Sequence, residues 1–419
     1  RSLAKLSAVR DSARLTRRAA VVLAGPCVVL TVVFASASIQ GPDLLSIRRN
    51  LMPVPESVRF RDTPLLIDRT FTVALRGPSG PASPRVYRAA LRLLERLGRQ
   101  TGIPIPIEIS LGSDDATLLI EHFESVPGVQ RVIEDESYTL EVDAAGAALR
   151  APTPYGVLRG IETFLQLVEV AVPATAVAAV DRPSTIPDLE PEPEDFIVPG
   201  VEIRDVPRFP WRGLLIDPGR HFLSIDAMKR NLDAMAAVKL NVLHWHLSED
   251  QGFRVESRIF PKLHELGSGG FYYTQDEIQD LVAYGRDRGI RVMPEFDMPG
   301  HATSWFVGYP ELASAPGPYE IIEAWGIQDP SMDPTRDETY EFLEAFIAEM
   351  VALFPDNYFH IGGDEVNGNQ WNGNPDIQAF ISEQGLEDNH GLQSFFNRRL
   401  QKILTKHGKK MVGWDEIMH

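Results

Sequence analysis

From Val201 onward, short apolar runs and amphipathic helical stretches alternate five times, and this alternation constrains the fold more than any other feature of the chain. The apolar runs are "RGLLID" (212–217), "NVLHWHL" (241–247), "IRVMPEFD" (290–297), "NYFHIGG" (357–363) and "KMVGWDE" (410–416). Between them, "SIDAMKRNLDAMAAVK" places Ile225, Met228, Leu232 and Met235 on one helical face behind Ser224 as N-cap. "TQDEIQDLVAYGRDRG" opens with a capping box from Thr274 to Glu277 and stops at Gly289. A helix over about 337–354 and the stretch "LQSFFNRRLQKILTKHG" complete the series. Repeated β/α units build a parallel sheet, here in particular a (β/α)8 TIM barrel. Such a barrel takes about 250 residues. Residues 201–419 supply 219 and the series stops at a fifth strand, so the expectation is a barrel whose C-terminal part is missing.

Upstream, residues 51–172 read as a small α/β domain. "RVYRAALRLLERLG" (85–98) has helical spacing and a stop at Gly98, "ATLLIEHF" and "SYTLEV" read as strands, and "TPYGVLRGIETFLQLVEV" continues from a turn into a helix. Residues 173–200 read as a linker or exposed insertion: 173–199 hold six prolines and six acids against one arginine, which cannot build a core. Residues 1–37 combine a basic flank with an apolar run and small residues before Ser38, the pattern of an export signal. The other reading of that run is a membrane anchor, because its length approaches a membrane span. The expected localisation is therefore outside the cytoplasm: periplasmic, extracellular or at the cell surface. Cys27, the only cysteine, lies within this run, so a cleaved chain holds no disulfide.

Charge excludes one class of partner. The formal net charge is -17, and the first 18 residues carry six basic groups against Asp11, or +5. The remainder therefore carries -17 minus 5, or -22, and repels nucleic-acid backbones.

In a barrel, function gathers at the C-terminal ends of the strands. Polar residues load all five ends here. Asp217 and Arg220 follow the first run. His244, His246, Glu249 and Asp250 end the second, Glu295, Asp297 and His301 the third, Asp364 and Glu365 the fourth, and Trp414, Asp415 and Glu416 the fifth. Solvated loops account poorly for five such ends in succession. Individually, Arg220 could be a structural bridge to Asp217, the turn at His301 a plain turn, and Trp414 ordinary core. His244 and His246, two apart, share one face of a strand. They could bind a metal, as in a metal-dependent hydrolase, or form a hydrogen-bonded pair within a barrel layer.

"GGDE" is the most informative stretch. Gly362 and Gly363 lack a Cβ and would let a ligand approach the backbone. Asp364 and Glu365 have Cα atoms about 3.8 Å apart, and like charges so close raise at least one pKa, keeping an acid protonated near neutrality. Retaining glycosidases set two carboxylates about 5–5.5 Å apart across the sugar. Sequence neighbours are badly placed for that. They suit a substrate that supplies its own nucleophile while one carboxylate steers it.

The motif series "RGLLIDPGRHF", "KLNVLHWHLSEDQGFRVES", "RVMPEFDMPGHATSW", "FHIGGDEV" and "VGWDEI" resembles, in order and spacing, the β-N-acetylhexosaminidases of glycoside hydrolase family 20. "YGVLRGIETFLQL" and residues 51–172 resemble the small domain preceding that family's barrel. The resemblance implies an exo-acting enzyme that removes terminal N-acetylglucosamine or N-acetylgalactosamine from oligosaccharides or glycoconjugates, with retention and without a metal or other cofactor. It implies Glu365 as general acid and base, and Asp364 as the group orienting the 2-acetamido substituent, whose carbonyl oxygen attacks the anomeric carbon. It implies Arg220 and Trp414 as sugar-binding residues, Asp297 and His301 as supports of the acid, and His246, Glu249 and Asp250 as further supports. Where many members carry two aspartates, this chain has Glu249 and Asp250. The rival readings are the metal hydrolase built on His244 and His246 and a sugar-binding relic without turnover.

Overall fold

Helix starts and stops are written locally and recur in the computed structural model, which describes residues 51–78, 82–113, 115–126, 128–171 and 195–418. The expected signal or anchor over 1–37, and the linker from 173 to 194, lie outside the described residues. Ser83 Oγ accepts from the Val86 amide and starts α1 (Pro84–Thr101). That helix runs past the expected stop at Gly98 and ends at Gly102, whose φ of 70° supplies the left-handed cap. Thr153 Oγ1 accepts from the Tyr155 and Gly156 amides and starts α2 (Pro154–Gln166).

Among the described residues, ten strands belong to this first part. They are β1 (Ser57–Phe60), β2 (Leu65–Ile67), β3 (Val73–Arg76), β4 (Ile109–Leu111), β5 (Leu118–His122), β6 (Tyr138–Asp143), β7 (Gly146–Ala151), β8 (Glu169–Val170), β9 (Phe196–Val198) and β10 (Val201–Asp205). They form a seven-stranded sheet in the order β1-β10-β6-β7-β5-β3-β4 and a three-stranded sheet β2-β9-β8. The sequence boundary at 200/201 therefore falls inside the small domain. β10 lies antiparallel between β1 and β6, with Ile203 opposite Leu140, and β9 pairs with β2 and β8. The reason is visible in "VEIRD": burial alternates along it, and Val201 and Ile203 join the small domain's core. A chain-order reading cannot see that pairing, because β6 lies far upstream.

The barrel part begins at β11 (Gly213–Ile216) and continues through α3 (Ile225–Ala237), β12 (Val242–Glu249), β13 (Gly252–Phe253), α4 (Lys262–Gly267), α5 (Gln275–Asp287), β14 (Arg291–Phe296) and α6 (Thr303–Gly308). It then runs through α7 (Asp337–Leu353), β15 (Tyr358–His360), α8 (Asn369–Gly373), α9 (Pro375–Gln384), α10 (Asn389–Lys406) and β16 (Lys410–Val412). Strands β11-β12-β14-β15-β16 pair in parallel in chain order, the arrangement of a barrel wall. All five expected strands are present, and so is the Thr274–Glu277 capping box. Met228, Leu232 and Met235 from α3 and Ile278 and Leu281 from α5 meet Trp245 and Phe296 in one core. Each such fully buried side chain contributes about 1.5–3 kcal/mol. β11 is an apolar run, yet its Leu214 and Leu215 are 38% and 40% exposed, because among the described residues β12 is its one strand neighbour.

A buried charge cluster joins the two parts. Arg159 of α2 pairs with Glu136 and donates to the carbonyls of Arg288 and Gly289, just before β14. Burial alone would raise the Glu136 carboxyl, but Arg159 and Arg212 override it and hold it at about 2. A depressed carboxylate contributes stability above its unfolded pKa of 4.5, and loses it as pH falls towards 2. The Tm difference between the wild type and Glu136→Gln is therefore expected to be widest above pH 4.5 and to shrink on acidification. A difference independent of pH would contradict this assignment.

Candidate active site

Register builds the floor of the site. His246 of β12 lies opposite Glu295 of β14, and Glu295 opposite His360 of β15, so neighbouring strands bring these groups to one level of the barrel. Glu295 is fully buried. Its Oε2 lies 2.6 Å from His244 Nε2 and 2.6 Å from His246 Nδ1, while its Oε1 lies 3.1 Å from His360 Nδ1 and accepts from Trp414 Nε1 at 3.0 Å. Burial opposes ionisation of Glu295, yet the charge of His246 and the three imidazole contacts take it well below the usual carboxylate range. The same carboxylate raises His246 against the cost of burial, whereas burial lowers His244. Ligands at about 2.0–2.2 Å from a tetrahedral ion stand more than ~3 Å apart. Contacts of 2.6 Å to a shared oxygen are instead hydrogen-bonding distances. The His244–His246 pair thus meets on one carboxylate oxygen, and His244, Glu295 and His360 also stand close enough together to hold an ion. Sequence reading placed Glu295 at a strand end without assigning it a role and passed over His360. The available signal was a charged residue inside an otherwise apolar strand run.

Above this layer stands a second chain of contacts. His301, in left-handed backbone at φ 48°, places Nδ1 2.9 Å from Glu249 Oε1 and 3.6 Å from Asp250 Oδ2. Its Nε2 lies 3.3 Å from Glu365 Oε2 and 4.0 Å from Asp364 Oδ2. Burial favours neutral imidazole, but Asp250, Glu249 and Asp297 outweigh it and push His301 up to about 11. The ring is therefore a cation throughout the neutral range. Fully buried Glu249 also pairs with Arg220 Nη2, and Arg220 Nη1 donates to Asp217 at 2.8 Å. The structural bridge to Asp217 exists, yet the Arg220 side chain stays 30% exposed and open to a ligand. Asp250 Oδ1 accepts from the Thr303 amide and hydroxyl and so fixes the start of α6.

The "GGDE" turn lies over Asp297. Gly362 and Gly363 have φ of 68° and 89°, Gly363 N donates to Asp297 Oδ1 at 3.0 Å, and Gln393 Nε2 donates to the Gly363 carbonyl. Sequence reading assigned both glycines to ligand approach. In the structure their missing Cβ atoms make room for protein: a Cβ on Gly362 would lie 1.8 Å from Asp297 Oδ1, and one on Gly363 2.4 Å from Ile417 Cγ2. Burial, together with the charges of Asp364 and Glu295, raises the Asp297 carboxyl well above its usual value. Gly362→Ala is expected to cost about 2 kcal/mol or more and to displace the acids that follow. A lowered Tm with reduced turnover checks this, and an unchanged Tm would contradict it.

The turn delivers two unlike carboxylates. The Glu365 side chain is 45% exposed and the Asp364 side chain 22%. Asp364 Oδ1 is buried and accepts no hydrogen bond. Leaving such an acceptor unpaired costs about 1–3 kcal/mol. Trp414, half-buried, packs against the rings of His244 and His360 at 5.7 and 5.0 Å. All nine residues singled out for the site therefore fall into one connected set: Arg220–Glu249–His301–Glu365, with Asp250 and Asp364 beside His301, Asp297 under the turn, and His246 and Trp414 on Glu295.

Both parts of the chain are similar to known proteins. The family model described as "Glycosyl hydrolase family 20, catalytic domain" matches residues 209–419, and "Glycosyl hydrolase family 20, domain 2" matches 48–206. The junction between them coincides with the end of β10. A beta-hexosaminidase of Porphyromonas gingivalis is 34% identical over 379 residues, covering 88% of this chain and 45% of its own. The solved chitobiase of Flavobacterium johnsoniae is 39% identical with a TM-score of 0.79, over 88% of this chain and 53% of that one. An exo beta-N-acetylglucosaminidase of Vibrio harveyi, solved with N-acetylglucosamine, is 30% identical with a TM-score of 0.70, over 88% of this chain and 55% of its own. The chain spans about half the length of the curated relatives it matches.

Proposed function

The chain belongs to glycosyl hydrolase family 20, and on that footing we propose that the protein is an exo-acting β-N-acetylhexosaminidase that removes terminal non-reducing N-acetylglucosamine or N-acetylgalactosamine by a substrate-assisted, retaining mechanism. One observation carries this reading: a buried, unpartnered Asp364 oxygen stands beside the half-exposed Glu365, which lies against the His301 cation. Asp364 Oδ1 accepts the N–H of the 2-acetamido group and turns its carbonyl oxygen towards the anomeric carbon. As that oxygen forms a bond to carbon, the bond to the leaving oxygen breaks and Glu365 gives that oxygen its proton. The positive charge of the resulting oxazolinium falls on the amide held by Asp364. Glu365, now ionised, takes a proton from water as the water opens the ring, and two inversions restore the configuration. No protein nucleophile is required, in keeping with this family's place outside the two-carboxylate rule. Arg220 offers its remaining donors to sugar hydroxyls, Trp414 forms a wall of the acetamido pocket, and Asp297, which accepts from the Gly363 amide, supports the turn.

The test is turnover of 4-nitrophenyl N-acetyl-β-glucosaminide by the full-length protein, with and without a chelator. Chelator-independent turnover is the expected result. Chelator-sensitive turnover would support the metal hydrolase, and no turnover the relic. Export through residues 1–37 is part of the same proposal, supported by the basic flank and the apolar run before Ser38. N-terminal sequencing of the mature protein checks it: Ser38 as first residue identifies a cleaved signal, whereas full-length protein in the membrane fraction identifies an anchor. Cytosolic protein that retains the segment would contradict export.

A further inference from the structure

A cavity of about 470 Å³ opens between α1 and α2 of the small domain and α3 and α5 of the barrel. It lies at the end of the barrel opposite the carboxylates, since Arg288 on its wall precedes the first residue of β14. Five arginines line it against three carboxylates, an unusual excess in a chain of net charge -17. Arg92, Arg96 and Arg99 recur at steps of four and three along α1, so they share one helical face.

Their donors are mostly unspent. An arginine carries five N–H groups. Arg92 uses Nη2 on the carbonyl of Asp287, Arg96 uses Nη1 on Glu162, and Arg288 uses Nε on Asp233 and Nη1 on the carbonyl of Tyr284. Arg99 has neither an ion-pair nor a hydrogen-bond partner among the described residues, whereas the fifth arginine, Arg159, is spent on Glu136. Burial and the nearby Arg288 lower the Arg92 pKa, against the opposing pull of Asp287, Glu162 and Asp233. Guanidinium forks match tetrahedral oxyanions, which accept several charge-assisted hydrogen bonds at once.

We propose that this cavity is an anion site that takes a phosphoryl or sulfo group, free or carried on a small sugar, and that its occupant braces the two parts of the molecule. None of its lining residues belongs to the candidate active site, so the proposal stands apart from the hydrolase reading.

The experiment compares melting temperatures of the full-length protein in inorganic phosphate, inorganic sulfate and chloride at equal ionic strength, with calorimetric titration of phosphate and of glucose 6-phosphate. Phosphate or sulfate is expected to raise Tm by about 2 °C or more beyond chloride. The rise should vanish in Arg92→Gln/Arg99→Gln, with turnover at the active site unchanged. Arg99→Gln alone, at an exposed and unpartnered position, should weaken phosphate binding without altering the fold. Tighter binding of glucose 6-phosphate than of phosphate supports a sugar-borne group, and equal binding supports the free ion. The proposal is overturned if chloride stabilises equally, if the double variant keeps the rise, or if N-acetylglucosamine competes with phosphate.

Discussion

Glu365→Gln is expected to slow hydrolysis of N-acetyl-β-glucosaminides with poor leaving groups by about 10²–10⁴-fold, the usual contribution of a positioned general acid. The geometry makes the loss selective. Glu365 is the more exposed of the two carboxylates, and His301 Nε2 lies 3.3 Å from its Oε2, so it can reach a leaving oxygen while His301 holds it in place. Aryl glycosides whose leaving group departs as a stable anion need little protonation, so the variant should keep much more of its rate on them. The ratio between the two substrate types is the measurement. Near-normal hydrolysis of alkyl glycosides or disaccharides would remove Glu365 from the role of acid.

Asp364→Asn should lower kcat on acetamido substrates by about 10²–10³-fold, the range for losing one preorganised electrostatic contact to developing charge. The amide can still accept a hydrogen bond. It cannot balance the charge that builds on the oxazolinium. KM should therefore change less than kcat, because the bound substrate is neutral and the charge appears only in the transition state. Substrates with a 2-hydroxyl in place of the acetamido group gain nothing from Asp364, so their slow hydrolysis should scarcely change. Equal losses on both substrate types would mean that Asp364 holds the turn and does not steer the reaction.

Much of this site was legible because its groups sit where short-range rules apply. Thr274 and Glu277 announce a helix start, each apolar run ends in polar residues, and the last residues of parallel strands meet at one barrel end. What escaped depends on distance along the chain. β10 pairs with β6 some sixty residues earlier, and nothing in "VEIRD" distinguishes that partner from a barrel neighbour. The linkage of His244, His246 and His360 through Glu295 needs the register of three strands, which residue spacing within one strand cannot supply. Gly362 and Gly363 were rightly picked out as special. Their reason lies in Asp297 and Ile417, more than fifty residues away on either side, whose positions only the folded chain reveals.

In the proposed mechanism the substrate's own amide is the nucleophile, held by Asp364. Substrates with the same leaving group and zero to three fluorines on the N-acetyl methyl test it most directly. Fluorine withdraws electrons from the carbonyl oxygen and leaves its position unchanged. A steep stepwise fall in kcat with each fluorine is the predicted result, whereas a rate indifferent to fluorination would contradict the account and point to a nucleophile on the protein or in water.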